Sequence, residues 1–308
     1  MVPPPMIAGS GRQTVLVHGD QQAVVVEVGG GLRTYRAGGR EILDGYGPGE
    51  VCDAGRGQPL IPWPNRLAGG RYTFEGTAHQ APIDEVPAGN AIHGLTRWRS
   101  WAVSQIGETE AVMSLHLRPS PGYPFSLDLA IRYTVADDGL TVATTARNEG
   151  TGPCPYALGF HPYLTAFGGV VDDLDLQAPG QARYFADGHG IPTGREMVDD
   201  AWDFRPGRRI GDRRLNTCFT DLARDETGRA TVALTNPGTG ERVRLWMDKA
   251  FGCVMLYTGD AIADPVRRRR GLAVEPMTAA PDAFNSGDGL MVLRPGEATE
   301  AVWGINPG

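Results

Sequence analysis

No CxxC pair, no long apolar run and no excess of positive charge occurs in this 308-residue chain. The four cysteines, Cys52, Cys154, Cys218 and Cys253, lie far apart. That spacing removes a CxxC zinc or thioredoxin-like site, and a disulfide scaffold is not expected of a chain this large. A membrane-spanning helix needs about 20 consecutive apolar residues, and no stretch approaches that. The 29 Lys and Arg against 36 Asp and Glu give a net charge of −7, opposite in sign to the basic field that nucleic acid or an anionic membrane surface attracts. The opening MVPPPMIAGSGRQ shows neither the basic nor the apolar region of a secretory signal, so a cytoplasmic location is expected. GxGxxG, the P-loop, GxSxG and HExxH are missing too, and with them the nucleotide, serine-hydrolase and zincin chemistries those motifs carry. No segment shows the periodicity of a helix of three or more turns.

Turn-forming residues and alternation are abundant instead. Gly at 43 and Pro at 24 residues make up about a fifth of the chain, against roughly 12% in average usage. In FSLDLAIRYTV, Phe125, Leu127, Leu129, Ile131, Tyr133 and Val135 share one face, with Ser126, Asp128, Arg132 and Thr134 on the other. The turn Asp137-Asp138-Gly139 follows, then Leu140, Val142, Thr144 and Ala146 continue the alternation, so the spacing predicts a hairpin. A second hairpin is expected around Asn236-Pro237-Gly238-Thr239-Gly240. No repeat, linker or composition break divides the chain. The fold expected is therefore all-β, a large twisted antiparallel β-sandwich formed as a single domain over residues 1–308, with 1–11 as a flexible N-terminal tail.

Four short stretches stand out for chemistry. His93 lies in Asn90-Ala91-Ile92-His93-Gly94, where glycine lets the backbone turn tightly behind the imidazole. His161 lies in Leu158-Gly159-Phe160-His161-Pro162-Tyr163. Glu275 ends the apolar run Gly271-Leu272-Ala273-Val274; a carboxylate there loses hydration, and its pKa rises toward the range a general base needs. Ile61-Pro62-Trp63-Pro64-Asn65-Arg66 is stiffened by two prolines and offers Trp63 as a stacking surface and Asn65 and Arg66 as donors. Taken singly, each also has a structural reading: a satisfied core histidine, a glutamate paired with an arginine, a rigid surface loop. His18, His79, His116 and His189 lack polar company and are expected to be structural or exposed. Arg267–Arg270 reads as a solvated loop.

Together, in this order, the stretches PWPNRLAGGRY, NAIHGL, LGFHPYL and LAVEPMTAAPDAFNSG resemble the aldose 1-epimerase (galactose mutarotase) family over about residues 12 to 305. The resemblance implies a β-supersandwich with an open cleft and no metal or organic cofactor. It also implies interconversion of the α and β anomers of a free hexose, by a small-sugar enzyme acting as a monomer or homodimer. By motif, Glu275 is the base at the C1 hydroxyl and His161 the acid at the ring oxygen, two opposed groups facing each other across the sugar. His93, Arg66 and Asn65 hold the sugar in register. Two positions depart from the family pattern. Asn216 in Leu215-Asn216-Thr217-Cys218-Phe219 stands where an Asp is frequent, and Met255 where a Gln is frequent. These losses bear on which sugar is bound and leave room for an anionic, sulfonated or phosphorylated hexose. Two other readings use the same residues: a non-catalytic carbohydrate-binding protein, and a two-histidine, one-carboxylate metal site of His93, His161 and Glu275.

Overall fold

The computed structural model describes residues 8–308, so the first seven residues of the expected tail lie outside the described residues. Residues 8–11 form a turn, with the Gly11 amide donating to the Ala8 carbonyl at 2.8 Å and Ser10 buried. Beyond it, strands are the dominant regular structure of the described chain; its one α-helix is the four-residue Ala283–Ser286. No helix in it is long and apolar enough to cross a membrane.

Two large antiparallel sheets face each other, one of nine strands and one of eight, with a four-stranded sheet from the N-terminal third beside them. The expected hairpin is the spine of the nine-stranded sheet. Leu127–Ala136 pairs with Gly139–Asn148 from Leu127↔Asn148 to Ala136↔Gly139, and the odd-numbered residues of the first strand are buried as the alternation predicted. The final strand, Ala298–Asn306, inserts next to it and pairs on its other side with Arg242–Met247, the second strand of the hairpin expected around Asn236–Gly240. The core lies between the sheets. Leu129, Ile131, Tyr133 and Val142 from one side meet Phe219, Val254, Leu256, Leu272 and Val274 from the other, and the Trp303 and Phe160 rings lie 5.1 Å apart across the interface.

The eight-stranded sheet carries the site. Its strand Gly271–Met277 is buried at all seven positions, because both faces are covered. Leu272 and Val274 point into the main core; Ala273 and Met277 belong to smaller apolar clusters on the opposite face. Arg267–Arg270, just before this strand, is only in part the solvated loop expected from sequence: Arg268 and Arg270 are exposed, whereas Arg267 and Arg269 are half-buried. Arg267 donates to Asp44 at 2.7 Å, and Arg269 reaches both Asp172 at 2.6 Å and Asp260 at 2.7 Å. Local sequence does not reveal these pairings, since the acidic partners lie as far as 223 residues away in the chain. Trp303 is almost fully buried at the contact between the sheets, so Trp303→Ala is expected to cost about 3–5 kcal/mol, measurable by chemical denaturation.

Candidate active site

Register explains why Glu275 and His161 meet. Two short segments, Gly159–Phe160 and Tyr163–Thr165, pair with the same strand through Gly159↔Met277 and Tyr163↔Ala273. Counting inward from both pairs brings His161 opposite Glu275. The ladder is interrupted here, where Pro162 and Pro276 have no N–H to contribute. The His161 backbone is held instead by the neighbouring segment, its amide donating to the Gln58 carbonyl at 3.1 Å and its carbonyl accepting from the Gly57 amide at 2.9 Å. Side chains directly opposite on one face stand about 4.5–5.5 Å apart at Cβ, and here His161 Nε2 lies 3.4 Å from Glu275 Oε1.

Both groups are buried, Glu275 to 2% and His161 to 5% exposure. Loss of hydration disfavours each charged form. It pushes the Glu275 carboxyl up to about 8 and the His161 imidazole down to about 3, with the Arg97 and Arg56 guanidinium charges adding to the downward shift. Glu275 Oε2 and His161 Nδ1 have no partner within the protein. His161 is oriented by packing: its ring stacks on Tyr163 at 5.0 Å, and the Arg56 guanidinium lies 4.5 Å from the centre of the Tyr163 ring. Arg56 is in turn fixed by Asp44 at 2.5 Å and Asp53 at 2.9 Å.

His93 enters from a loop. It takes a left-handed φ of 63° and is followed by Gly94 at 70°. A Cβ on Gly94 would sit 2.1 Å from the Ile61 carbonyl oxygen, so glycine is required for the close approach. The Asn65 amide donates to His93 Nδ1 at 3.2 Å, and the Asn65 carbonyl accepts from the His93 amide at 2.8 Å. Since Nδ1 accepts, the proton of the neutral ring sits on Nε2. Burial, then the neighbouring His161, holds His93 well below the ordinary imidazole range. Arg66 forms a two-pronged ion pair with Glu85, at 2.8 and 2.7 Å, and Asn65 Oδ1 accepts from the Arg66 amide at 2.9 Å.

These groups line one open cleft of about 460 Å³ that includes Asn65, Arg66, His93, His161, Asn216 and Glu275, within the size range of small-molecule sites. The other four histidines are not among its lining residues. Trp63 is a correction. It is 3% exposed and packs edge-on against Phe284 at 5.6 Å and near Tyr123 at 6.5 Å, so its indole fills the core below the loop and has no open face for a sugar. The opposed acid and base are a second correction, since Glu275 and His161 stand side by side. Glu85, Arg97 and Trp98 line the cleft although no motif pointed to them. Trp98 is 56% exposed, and an exposed tryptophan beside a histidine motif was the one signal available. His93, His161 and Glu275 also bring one ligand atom each within 4.8 Å of one another, a donor set able to hold a transition metal.

The aldose 1-epimerase family profile matches residues 12–305. The chain is 36% identical over 298 residues to the uncharacterised Escherichia coli K12 protein YihR, covering 96% of this chain and 93% of that one. It is 27% identical over 155 residues to the E. coli K12 aldose 1-epimerase, covering 47% of this chain and 44% of that enzyme. Among solved structures, a GalM/aldose epimerase homologue from Caenorhabditis elegans superposes with a TM-score of 0.84 at 18% identity, covering 96% and 99% of the two chains. A galactose 1-epimerase from Lactobacillus acidophilus NCFM gives 0.79 at 19%, covering 96% and 94%.

Glu275 has a consequence for stability. Its folded pKa, raised from 4.5 to about 8, lies above its unfolded value, so its burial opposes folding increasingly as pH rises through that window. Glu275→Gln is therefore expected to stabilise the fold by on the order of 2–4 kcal/mol at pH 8 and to have little effect below pH 4.5, read as ΔTm across pH.

Proposed function

The chain belongs to the aldose 1-epimerase family, and from that premise we propose that it interconverts the α and β anomers of a free hexose by acid–base ring opening. The observation that carries this is the Glu275–His161 pair, 3.4 Å apart and buried at the floor of an open cleft. The C1 hydroxyl oxygen and the ring oxygen are bonded to the same carbon, so the reaction needs its base and its acid side by side. The Glu275 carboxylate takes the proton from the C1 hydroxyl, the C1–O5 bond breaks, and the electron pair on O5 takes a proton from the His161 imidazolium. Rotation about C1–C2 presents the other face of the aldehyde, and the reverse transfers close the ring. His93 Nε2–H and Arg66 donate to sugar oxygens and fix the ring over the pair.

The charges of the cleft favour a neutral sugar. Arg66 is balanced by Glu85, Arg97 by Asp84 at 2.9 Å and Asp53 by Arg56. The Glu275–His161 pair with its single proton carries no net charge in either arrangement. An anionic hexose is the second reading, favoured by Arg97, which lines the cleft with its own side chain 12% exposed while that of its partner Asp84 is 41% exposed, so a bound anion could share in the pairing.

Glu275→Gln and His161→Asn are each expected to lower kcat by about 10²–10⁴-fold, measured by polarimetric equilibration of fresh α-D-glucose or α-D-galactose. Full activity in either variant overturns the assignment. The pair holds one proton between His161 at about 3 and Glu275 at about 8, and the competent arrangement also contains one proton. The rate is thus expected to be flat near neutrality and to fall as pH rises through about 8; a rate that climbs through pH 8 would leave Glu275 as the sole proton-transfer group. For the sugar, Asn216→Asp is expected to raise turnover of neutral hexoses. No gain, together with faster anomerisation of a 6-sulfonated or 6-phosphorylated hexose, selects the anionic reading.

A further inference from the structure

A second compartment adjoins the hexose cleft. It encloses about 330 Å³ and shares Arg66 and Asn216 with the cleft. Its floor is Met255 and Cys218 and its walls include Tyr184, Phe185 and Pro192. The floor is continuous with Glu275 by register: Glu275 is the Cα partner of Met255, and Met255 of Cys218. Neighbouring strands stand about 4.8 Å apart, so this row runs about 10 Å across three strands, the reach of two linked six-membered rings.

The floor residues pack with Cys253, Met277 and Ala280 in an apolar cluster on the cleft face, separate from the main core. Tyr184 packs against that cluster and is tethered through its hydroxyl to Asp288 at 2.7 Å. The turn after the Tyr184–Phe185 strand, from Asp187 to Ile191, is tied to the cleft: His189 Nδ1 donates to the Ala88 carbonyl at 3.0 Å, and Asn90 donates to the His189 carbonyl at 2.9 Å. Gly190 in this turn lies against the Arg66 guanidinium so closely that a Cβ would stand 2.6 Å from it. The compartment is therefore a fixed extension of the cleft, with apolar and aromatic surfaces of the kind that contact the C–H faces of a pyranose.

We infer that the compartment is a subsite for a second sugar ring, so that the preferred substrate is a reducing disaccharide. Its free anomeric centre lies over Glu275 and His161, and its other ring lies on Met255 and Cys218 against Tyr184 and Phe185. The inference rests on the mutarotase reading above and adds a substrate class to it. No chemistry beyond ring opening is involved, since the glycosidic bond is not broken.

The test compares glucose with maltose, cellobiose and isomaltose, with anomerisation followed by NMR exchange and binding followed by calorimetry on the same protein. The best disaccharide is expected to show kcat/KM at least fivefold above glucose. Cys218→Met, which fills the floor, and Phe185→Ala, which removes a wall, are each expected to lower that disaccharide-to-glucose ratio at least threefold. Glucose anomerised as well as every disaccharide, or a ratio that neither variant moves, overturns the subsite and leaves the mutarotase reading intact. Tighter disaccharide binding that both variants weaken, with no anomerisation of any sugar, keeps the subsite and overturns the mutarotase reading. Failure to bind any of the sugars overturns both.

Discussion

The site depends on one constraint: a carboxylate is held, next to an imidazole, in a strand that is covered on both faces. In an ordinary half-buried strand Glu275 would alternate out to water and have no reason to hold a proton. Here the cleft face of Gly271–Met277 is as closed as its core face, and the carboxyl stays protonated up to about 8. The same burial keeps His161 neutral. One proton is left for two groups whose nearest atoms are 3.4 Å apart, and moving it between them creates a base and an acid at once without exchange with solvent. Proximity alone would not do this, because an exposed pair would titrate independently near the usual values.

The surroundings serve that pair by immobilising what touches it. Tyr163 and Arg56 form a stacked column behind His161, and two aspartates hold the far end of the column. The proline interruptions free His161 from the regular ladder, while backbone hydrogen bonds to Gly57 and Gln58 restore its position. Beside the pair, His93 and Asn65 exchange two backbone-anchored contacts. The geometry of the proposed catalytic pair is thus fixed by sheet register and backbone pairing together with the packing behind His161. That fits a reaction in which the substrate, rather than the protein, rotates between its two half-reactions.

Much of this was legible in the sequence wherever physics acts over short range. Period-2 alternation located the Leu127–Asn148 hairpin, and an acid closing an apolar strand located Glu275. A glycine after His93 signalled a tight turn, and Gly94 makes a close approach to Ile61. What long-range packing decides was not legible. Trp63 follows a proline in a loop whose next residues do reach the cleft, and nothing local says that its own side chain turns to Phe284, over two hundred positions on. Glu85 is 19 residues from Arg66 and Asp44 is 223 from Arg267, so neither ion pair has a spacing that could betray it. The side-by-side arrangement of Glu275 and His161 likewise follows from a strand pairing, which no single segment contains.

The same row of register partners shows how a shared catalytic pair and a private specificity can occupy one sheet. Glu275, Met255 and Cys218 stand in line across three strands, and only the first has a side chain suited to the proton transfer proposed. A polar side chain at Met255 would offer hydrogen bonds to the hexose but would also solvate the carboxyl beside it and draw its pKa back toward the ordinary range. Met255 is 5% exposed and Cys218 3%, so the neighbours of Glu275 along this row are apolar and keep it dry. Met255, standing where the family frequently has Gln, is on this reading not only a loss of sugar recognition. On the proposed reading it maintains the desolvation that acid–base chemistry relies on, and leaves the holding of the sugar to Arg66 and Asn216 and to His93, whose ring lies 5.3 Å from that of His161.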